Sequence, residues 1–299
     1  MEALEQDDDL VPLLQACRNA GLDACALAWD DPTVSWGRFD LVLLRSPWDY
    51  TGRHEVFIRW CEHVDRISTL LNPLEVVRWN SDKHYLRDLA ARGVPVVAVT
   101  FVEPEQEPLP CLQAFLSAEK ATEFVVKPAI SAGARDTQRY ARKQEFAASN
   151  HIARLLDEGR SVMLQPYLES VDNAGETGLI HLDGRFSHAI RKGPLLPAEG
   201  GAALAGHESI SPRDAEPDEL AVAWNALETA ATLLHLGAPL AYARIDLIRD
   251  GQGQPRVLEL ELVEPSLFFA HAPGSADRFA ANLVARLQQR SIRARTDPP

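Results

Sequence analysis

Two apolar runs joined by a short polar turn constrain this chain more than any other feature of its sequence. The first is Ala241-Tyr242-Ala243-Arg244-Ile245-Asp246-Leu247-Ile248, and the second is Val257-Leu258-Glu259-Leu260-Glu261-Leu262-Val263-Glu264-Pro265. Both are rich in Leu, Ile and Val, as buried or half-buried strands are. The connection Arg249-Asp250-Gly251-Gln252-Gly253-Gln254-Pro255 holds two glycines and a proline, so the pair reads as a hairpin. Residues two apart on a strand share a face. Arg244 therefore points with Asp246, and Glu259 with Glu261; in ordinary register all four converge on one patch of sheet. Three carboxylates there repel one another unless a cation sits among them, and their oxygens suit Mg²⁺. A solvated acidic face has the same spacing, and the hairpin alone leaves both readings open.

The rest of the chain alternates helix and strand, which places it in the α/β class with a parallel sheet near the N-terminus. A helix over Asp9 to Ala20 closes at Gly21; Leu22 to Ala28 and Phe39 to Leu44 read as strands, and His54 to Asp65 as a helix. Arg45 leaves the end of the second strand, where ligands of such sheets bind. A domain of this class usually opens on a strand, so one is expected to precede this sequence or to be supplied otherwise. Asn80 or Ser81 is placed to cap a helix running to Arg92. Val94 to Phe101 reads as a strand, Pro110 to Glu119 as a helix, and Glu123 to Pro128 as a strand ending in Lys127. The small residues that follow, Ala129 to Thr137 with Ser131 and Gly133, suit a backbone that approaches a ligand closely. Further on come a helix over 143–156, a strand over 161–168, and strands over 178–182 and 186–192 turned by Asp183-Gly184. Pro194 to Pro212 is expected to be a mobile loop, Pro217 to Leu236 a helix with Gly237 as its C′ residue, and Ala276 to Gln289 the last helix.

In order, the chain presents Lys83 at a helix start, Val126-Lys127-Pro128 before a small-residue loop, and Leu164-Gln165-Pro166-Tyr167-Leu168. Gly175-Glu176, Arg244-Ile245-Asp246 and Glu259-Leu260-Glu261 follow. That series resembles the ATP-grasp superfamily from about Trp79 to the C-terminus. The resemblance implies an ATP-grasp fold: an N-terminal parallel-sheet domain (1–78), a central subdomain (79–165) and a C-terminal subdomain (166–299) that clasp ATP between them. It implies that Lys83 and Lys127 hold the α- and β-phosphates and that Ser131 and Gly133 belong to the loop closing over the phosphates. It further implies that Gln165, Tyr167 and Leu168 form the hinge at the adenine, and that Asp172 or Glu176 takes the ribose. Asp246, Glu259 and Glu261 match Mg²⁺ ligands; Gln165 and Glu261 stand where many relatives carry Glu and Asn. Arg244, Arg191 and Lys192 are the residues that would stabilise the transferring phosphoryl group. Arg45 would grip a carboxylate or other polar group of an amino-acid-like substrate, or else make an inter-domain salt bridge.

Arg45-Ser46-Pro47-Trp48-Asp49-Tyr50 and Ser187-His188-Ala189-Ile190-Arg191-Lys192 are similar to a narrower, ring-closing subgroup. That similarity implies closure of O-ureido-D-serine to D-cycloserine, with an intermolecular amide-forming ligase as the alternative and a non-catalytic ATP sensor as a more distant one. Trp48 and Tyr50 are expected to pack, and His84, His151 and His235 to be structural or solvated; His188 and His207 flank the expected active loop. The net charge of −13 argues against nucleic-acid and anionic-membrane surfaces. Cys17, Cys25, Cys61 and Cys111 are scattered without metal spacing, and the acidic N-terminus is unlike a secretory signal. A cytoplasmic enzyme is expected, and the resemblance implies a homodimer.

Overall fold

The computed structural model describes residues 6–197 and 209–296. His207, and positions 198–208 of the expected loop, lie outside the described residues. Eleven strands are described: β1 Val42–Leu43, β2 Leu70–Leu71, β3 Thr100–Val102, β4 Glu123–Pro128, β5 Gln138–Ala141, β6 Val162–Pro166, β7 Glu176–Leu182, β8 Arg185–Lys192, β9 Ile210–Arg213, β10 Tyr242–Arg249 and β11 Pro255–Glu261. β1 and β2 form a short parallel pair. β3-β6-β4-β5 is a four-stranded antiparallel sheet, and β11-β10-β7-β8-β9 a five-stranded one.

The hairpin β10–β11 pairs Arg249 with Pro255 through Leu247 with Val257 and then shifts by one residue at a bulge between Leu247 and Asp246, which sets Asp246 opposite Glu259 and Arg244 opposite Glu261. The two faces of its sheet differ. One is mainly apolar: Leu179, Ala243, Ile245, Leu247 and Leu260 are fully buried under the helix Pro217–Leu233 and the short helix Tyr85–Ala90, with Thr177 and His181 buried beside them. The other is apolar over half its length, where Ile180, Leu182, Ile190 and Tyr242 are covered by the first helix, Leu10–Asn19, and the last, Ser275–Thr296. Its remaining half carries charge.

Several expected elements come out differently. Residues 22–28 form no strand; Leu22, Ala24 and Leu27 pack half-buried against two cores, but among the described residues no neighbouring strand offers backbone partners. The expected strand 94–101 survives only as β3, while Val96 bridges to Val257 of β11. Asn80 ends the helix Leu74–Asn80 instead of capping the next, because its side chain is drawn to β11: it donates to the Leu260 carbonyl (2.7 Å) and accepts the Leu262 N–H (2.7 Å). The long helix stops at Leu233, and His235 rather than Gly237 takes the left-handed turn at φ 51°. Ile210–Arg213, expected within a loop, pairs with β8 as an edge strand.

Candidate active site

Strand alternation and pairing put Arg244, Asp246, Glu259 and Glu261 on the charged half-face. The same register adds Glu176 from β7 and Lys192 from β8, since Gly178 lies opposite Asp246 and Glu176 opposite Lys192. Gly178 leaves the room this cluster needs: a Cβ there would stand 2.9 Å from Ile190 Cδ1 and 3.1 Å from Asp246 Oδ1.

Each carboxylate is met by a cation. Arg244 donates through Nε to both Asp246 oxygens (2.9 and 3.2 Å), through one terminal nitrogen to Asp246 (3.0 Å) and Glu261, and through the other to the Ser266 carbonyl (3.0 Å). Lys192 reaches Glu176 (3.1 Å) and Asp246 (3.2 Å). Lys83 reaches Glu259 (3.0 Å) and donates to the Ser131 carbonyl (2.8 Å), which ties the small-residue loop to the sheet. Burial works against the charge of Glu259, but Lys83 and Lys127 outweigh it and hold that carboxyl at about 2. Burial dominates at Glu261; with Glu259 and Asp246 adding repulsion against the opposing pull of Arg244, its carboxyl rises to about 8.

Lys127 has no hydrogen-bond or ion-pair partner among the described residues. Burial lowers its affinity for a proton, as do Lys83 and Lys192, while Glu259 and Glu176 act in the opposite sense. Three lysines thus crowd one spot where an anion with several oxygens would satisfy them. The adjoining loop is built for close approach: Gly133 (φ 60°), Ala134 (φ 54°) and Asp136 (φ 56°) are left-handed, a conformation that costs a non-glycine residue about 1–3 kcal/mol and clusters at ligand clamps. Asp136 is held there by Arg154 (3.1 Å) and Arg160 (2.7 Å).

On the four-stranded sheet Gln165 is 2% exposed, and its side-chain nitrogen has no partner. The Tyr167 N–H is taken by the Glu123 carbonyl (2.9 Å), whereas that of Leu168 is not engaged among the described residues. Arg139, which nothing in its sequence context singles out, lies 3.5 Å over the Tyr167 ring and pairs with Glu123 and with Asp172 (3.5 Å). Asp172 also accepts from the Tyr167 hydroxyl (2.6 Å). The structure does not bring Arg191 to this face. It is adjacent to Lys192 on β8 and so points the other way, donating to the carbonyls of Ala174 (2.6 Å) and Asn173 (2.9 Å) at the end of a short helix.

At the opposite edge of the charged face stands the N-terminal domain. Arg45, 8% exposed, contacts Asp9 at 3.4 Å, and its Nε and one terminal nitrogen are buried without a partner. Asp9 accepts the N–H groups of Leu267 (2.5 Å), Phe268 (3.0 Å) and Phe269 (2.8 Å), so Arg45 and the loop after the hairpin are fixed together. His188 joins the Leu267 carbonyl (2.8 Å). Tyr50 packs against Phe57, and its hydroxyl donates to Glu264 (2.9 Å). Asn72 closes the frame, donating to the carbonyls of Tyr242 and Leu262 (2.9 Å each) and accepting the Ala241 N–H (2.7 Å). Asp9, Asn72 and Glu264 carry no local signal as site residues; their partners lie far away in sequence.

The donor chemistry of Asp246, Glu259 and Glu261 fits a hard divalent cation, all-oxygen and anionic. Among the described residues no three His, Cys, Asp or Glu side chains are gathered ready to hold one, because Lys83, Lys192 and Arg244 occupy these carboxylates.

The two antiparallel sheets with this lysine and acid cluster have the fold of ATP-grasp ligases, as comparison with known proteins shows. A family model described as the N-terminal domain of D-cycloserine synthetase DcsG matches residues 1–72. The cycloserine biosynthesis protein DcsG of Streptomyces lavendulae is 45% identical over 287 residues, covering 96% of each chain. The crystal structure of D-cycloserine synthetase DcsG superimposes with a TM-score of 0.92 at 45% identity, covering 95% of this chain and 96% of that one. A more distant fold relative, the ATP-grasp ligase PsnB solved with a precursor variant, Mg and ADP, gives 0.62 at 16% identity, covering 94% and 95%. The chain belongs to the D-cycloserine synthetase family and is an ATP-dependent ligase.

Proposed function

We propose that this enzyme is an ATP- and Mg²⁺-dependent cyclo-ligase that closes O-ureido-D-serine into D-cycloserine. The observation that carries the reading is the charged half-face, where Lys83, Lys127, Lys192 and Arg244 meet Asp246, Glu259 and Glu261 in a chain so similar to DcsG. In this reading Lys83 and Lys127 bind the α- and β-phosphates of ATP, with the 131–137 loop above them. Gln165, Tyr167 and Leu168 take the adenine, the free Leu168 N–H serving as a donor. Asp172 or Glu176 takes the ribose; Tyr167 and Arg139 engage the first and Lys192 the second. Arg244 and Lys192 hold the oxygens of the phosphoryl group in transit, positioning and neutralising rather than reacting. Asp246, Glu259 and Glu261 would hold Mg²⁺, which when bound neutralises charge on the phosphates. Arg45, with two unpartnered donors, grips the substrate from the N-terminal domain.

The substrate carboxylate attacks the γ-phosphorus, giving an acyl phosphate and ADP. The ureido nitrogen attached to oxygen then attacks that carboxyl carbon, loses its proton and phosphate leaves, closing the ring; water afterwards cleaves the carbamoyl group from the ring nitrogen, which gains a hydrogen, and the carbamate released breaks down to carbon dioxide and ammonia. Tethering of nucleophile and electrophile supplies the effective concentration, so no second substrate is needed. The same reading divides the chain at 78 and 165, makes it a homodimer and places it in the cytoplasm. No described helix is long and apolar enough to cross a membrane.

The test is ADP release with O-ureido-D-serine alone, read together with D-cycloserine by chromatography. Turnover is expected without any added amine and is expected to fall about 10²–10³-fold in Asp246→Asn and Glu259→Gln. ADP release that requires an added amine would identify the intermolecular ligase instead, and normal turnover in either variant would remove the metal assignment. Light scattering of the purified chain at half the dimer mass would overturn the dimer.

A further inference from the structure

Among the acidic side chains described on the charged half-face and beside it, one is unlike the metal-ligand set. Asp246, Glu259 and Glu261 each pair with a lysine or arginine. Glu264 has no such partner among the described residues; its carboxylate accepts only the Tyr50 hydroxyl, at 2.9 Å. It stands three residues past Glu261, just before Pro265, where the chain leaves the hairpin. Its backbone is pinned as well, the carbonyl accepting the Trp48 indole N–H at 3.2 Å. Tyr50 is 2% exposed with its ring stacked 4.7 Å from Phe57, so the hydroxyl is a fixed donor rather than a rotor in solvent. One turn of the N-terminal domain therefore sets both the backbone and the carboxylate of this residue. Burial pushes the carboxyl to about 7, with Glu259 pushing the same way against the Tyr50 hydrogen bond, Lys83 and Arg244.

Ring closure, as proposed above, needs a proton acceptor. The attacking ureido nitrogen carries a hydrogen that must leave as the carbon–nitrogen bond forms. The carboxyl carbon has to lie where the phosphoryl group is passed, beside Arg244 and Glu261, with the rest of the substrate toward Arg45. Glu264 stands at that boundary, and among the described residues it is the one acid there with no cation in ion-pair contact. We propose that Glu264 is the general base of ring closure. Its carboxylate takes the N–H proton as the nitrogen bonds to the acyl carbon; the acyl carbon–oxygen bond breaks, and phosphate leaves with the electron pair. This role rests on the cyclo-ligase reading.

The test compares wild type with Glu264→Gln, Glu264→Asp and Tyr50→Phe, measuring D-cycloserine formation alongside the acyl phosphate trapped by hydroxylamine as hydroxamate. A lost general base lowers the rate by roughly 10²–10⁴-fold. Glu264→Gln is expected to lose ring closure on that scale while hydroxamate still forms and the KM for ATP holds, and Glu264→Asp is expected to recover part of the rate. The wild-type rate should fall as pH drops through the range of a carboxyl near 7. Tyr50→Phe, which keeps the carboxylate but removes a hydrogen bond that favours its ionised form, should move this limb to higher pH. Hydroxamate and D-cycloserine falling together in Glu264→Gln would make the residue structural, and an unmoved limb in Tyr50→Phe would place the base elsewhere. Either result overturns the proposal. A wild-type enzyme that releases no ADP with O-ureido-D-serine overturns the substrate reading first, and this role with it.

Discussion

The two faces of the five-stranded sheet are made by alternate residues of the same strands, yet they obey different rules. On one, Leu179, Ala243, Ile245, Leu247 and Leu260 vanish under helices, as the hydrophobic effect requires. On the other, Arg244 and Asp246 are as deeply buried, at 5% and 1% exposure, although burying charge is costly even when it is paired. A fold selected for stability alone would fill that half-face with side chains like those behind it. The contrast marks where the chain holds charge for chemistry.

Neighbours on β10 give the sharpest way to break this comparison. Ile245→Ala is expected to cost about 2–5 kcal/mol in urea unfolding while the folded fraction keeps its turnover. Asp246→Asn should do the reverse, losing about 10²–10³-fold in turnover with far-UV circular dichroism preserved. Equal effects of both variants on both measurements would erase the distinction between the faces. Gly178→Ala probes the crowding beneath the charged cluster; displacement of Asp246 is expected to lower turnover by up to about 10²-fold, and an unaffected rate would show that the cluster tolerates the shift. Arg45→Lys keeps the charge but loses the fork, and should raise the substrate KM roughly tenfold with little change in the KM for ATP.

The smallest effect concerns acid. The Glu259 carboxyl sits below its ordinary value when folded, so its stabilisation is complete above about 4.5 and fades as pH falls toward 2. Wild type should lose stability more steeply than Glu259→Gln over that range in urea titrations, and parallel curves would contradict the Lys83–Glu259 pairing.

What was legible in the sequence follows from locality. The hairpin and the Asp183-Gly184 turn could be read directly, because alternation and turn chemistry act over a few residues. Alternation sets Arg244 with Asp246 and Glu259 with Glu261, but it is the one-residue shift in their pairing, which alternation does not show, that brings all four onto one face. Lys192 and Arg191 were indistinguishable as basic neighbours until pairing with β7 set one on the site and turned the other away. Residues 22–28 have a strand's composition but find no partner, and strand identity depends on a neighbour. Asn80 resembles a helix cap locally but is worth more to β11.

By itself, then, the sequence determined the hairpin, the acid and lysine inventory and, through the ordered series of motifs, the ligase class. Only the tertiary structure decided which charges meet which: Lys83 with Glu259 across 176 residues, Asp9 holding both Arg45 and the loop at 267–269, and Glu264 beside Tyr50 with no cation. The physical reason is that secondary structure is set by torsional preference and short-range pattern. The charge state and partner of a buried carboxylate, by contrast, depend on whatever the fold brings within a few ångströms.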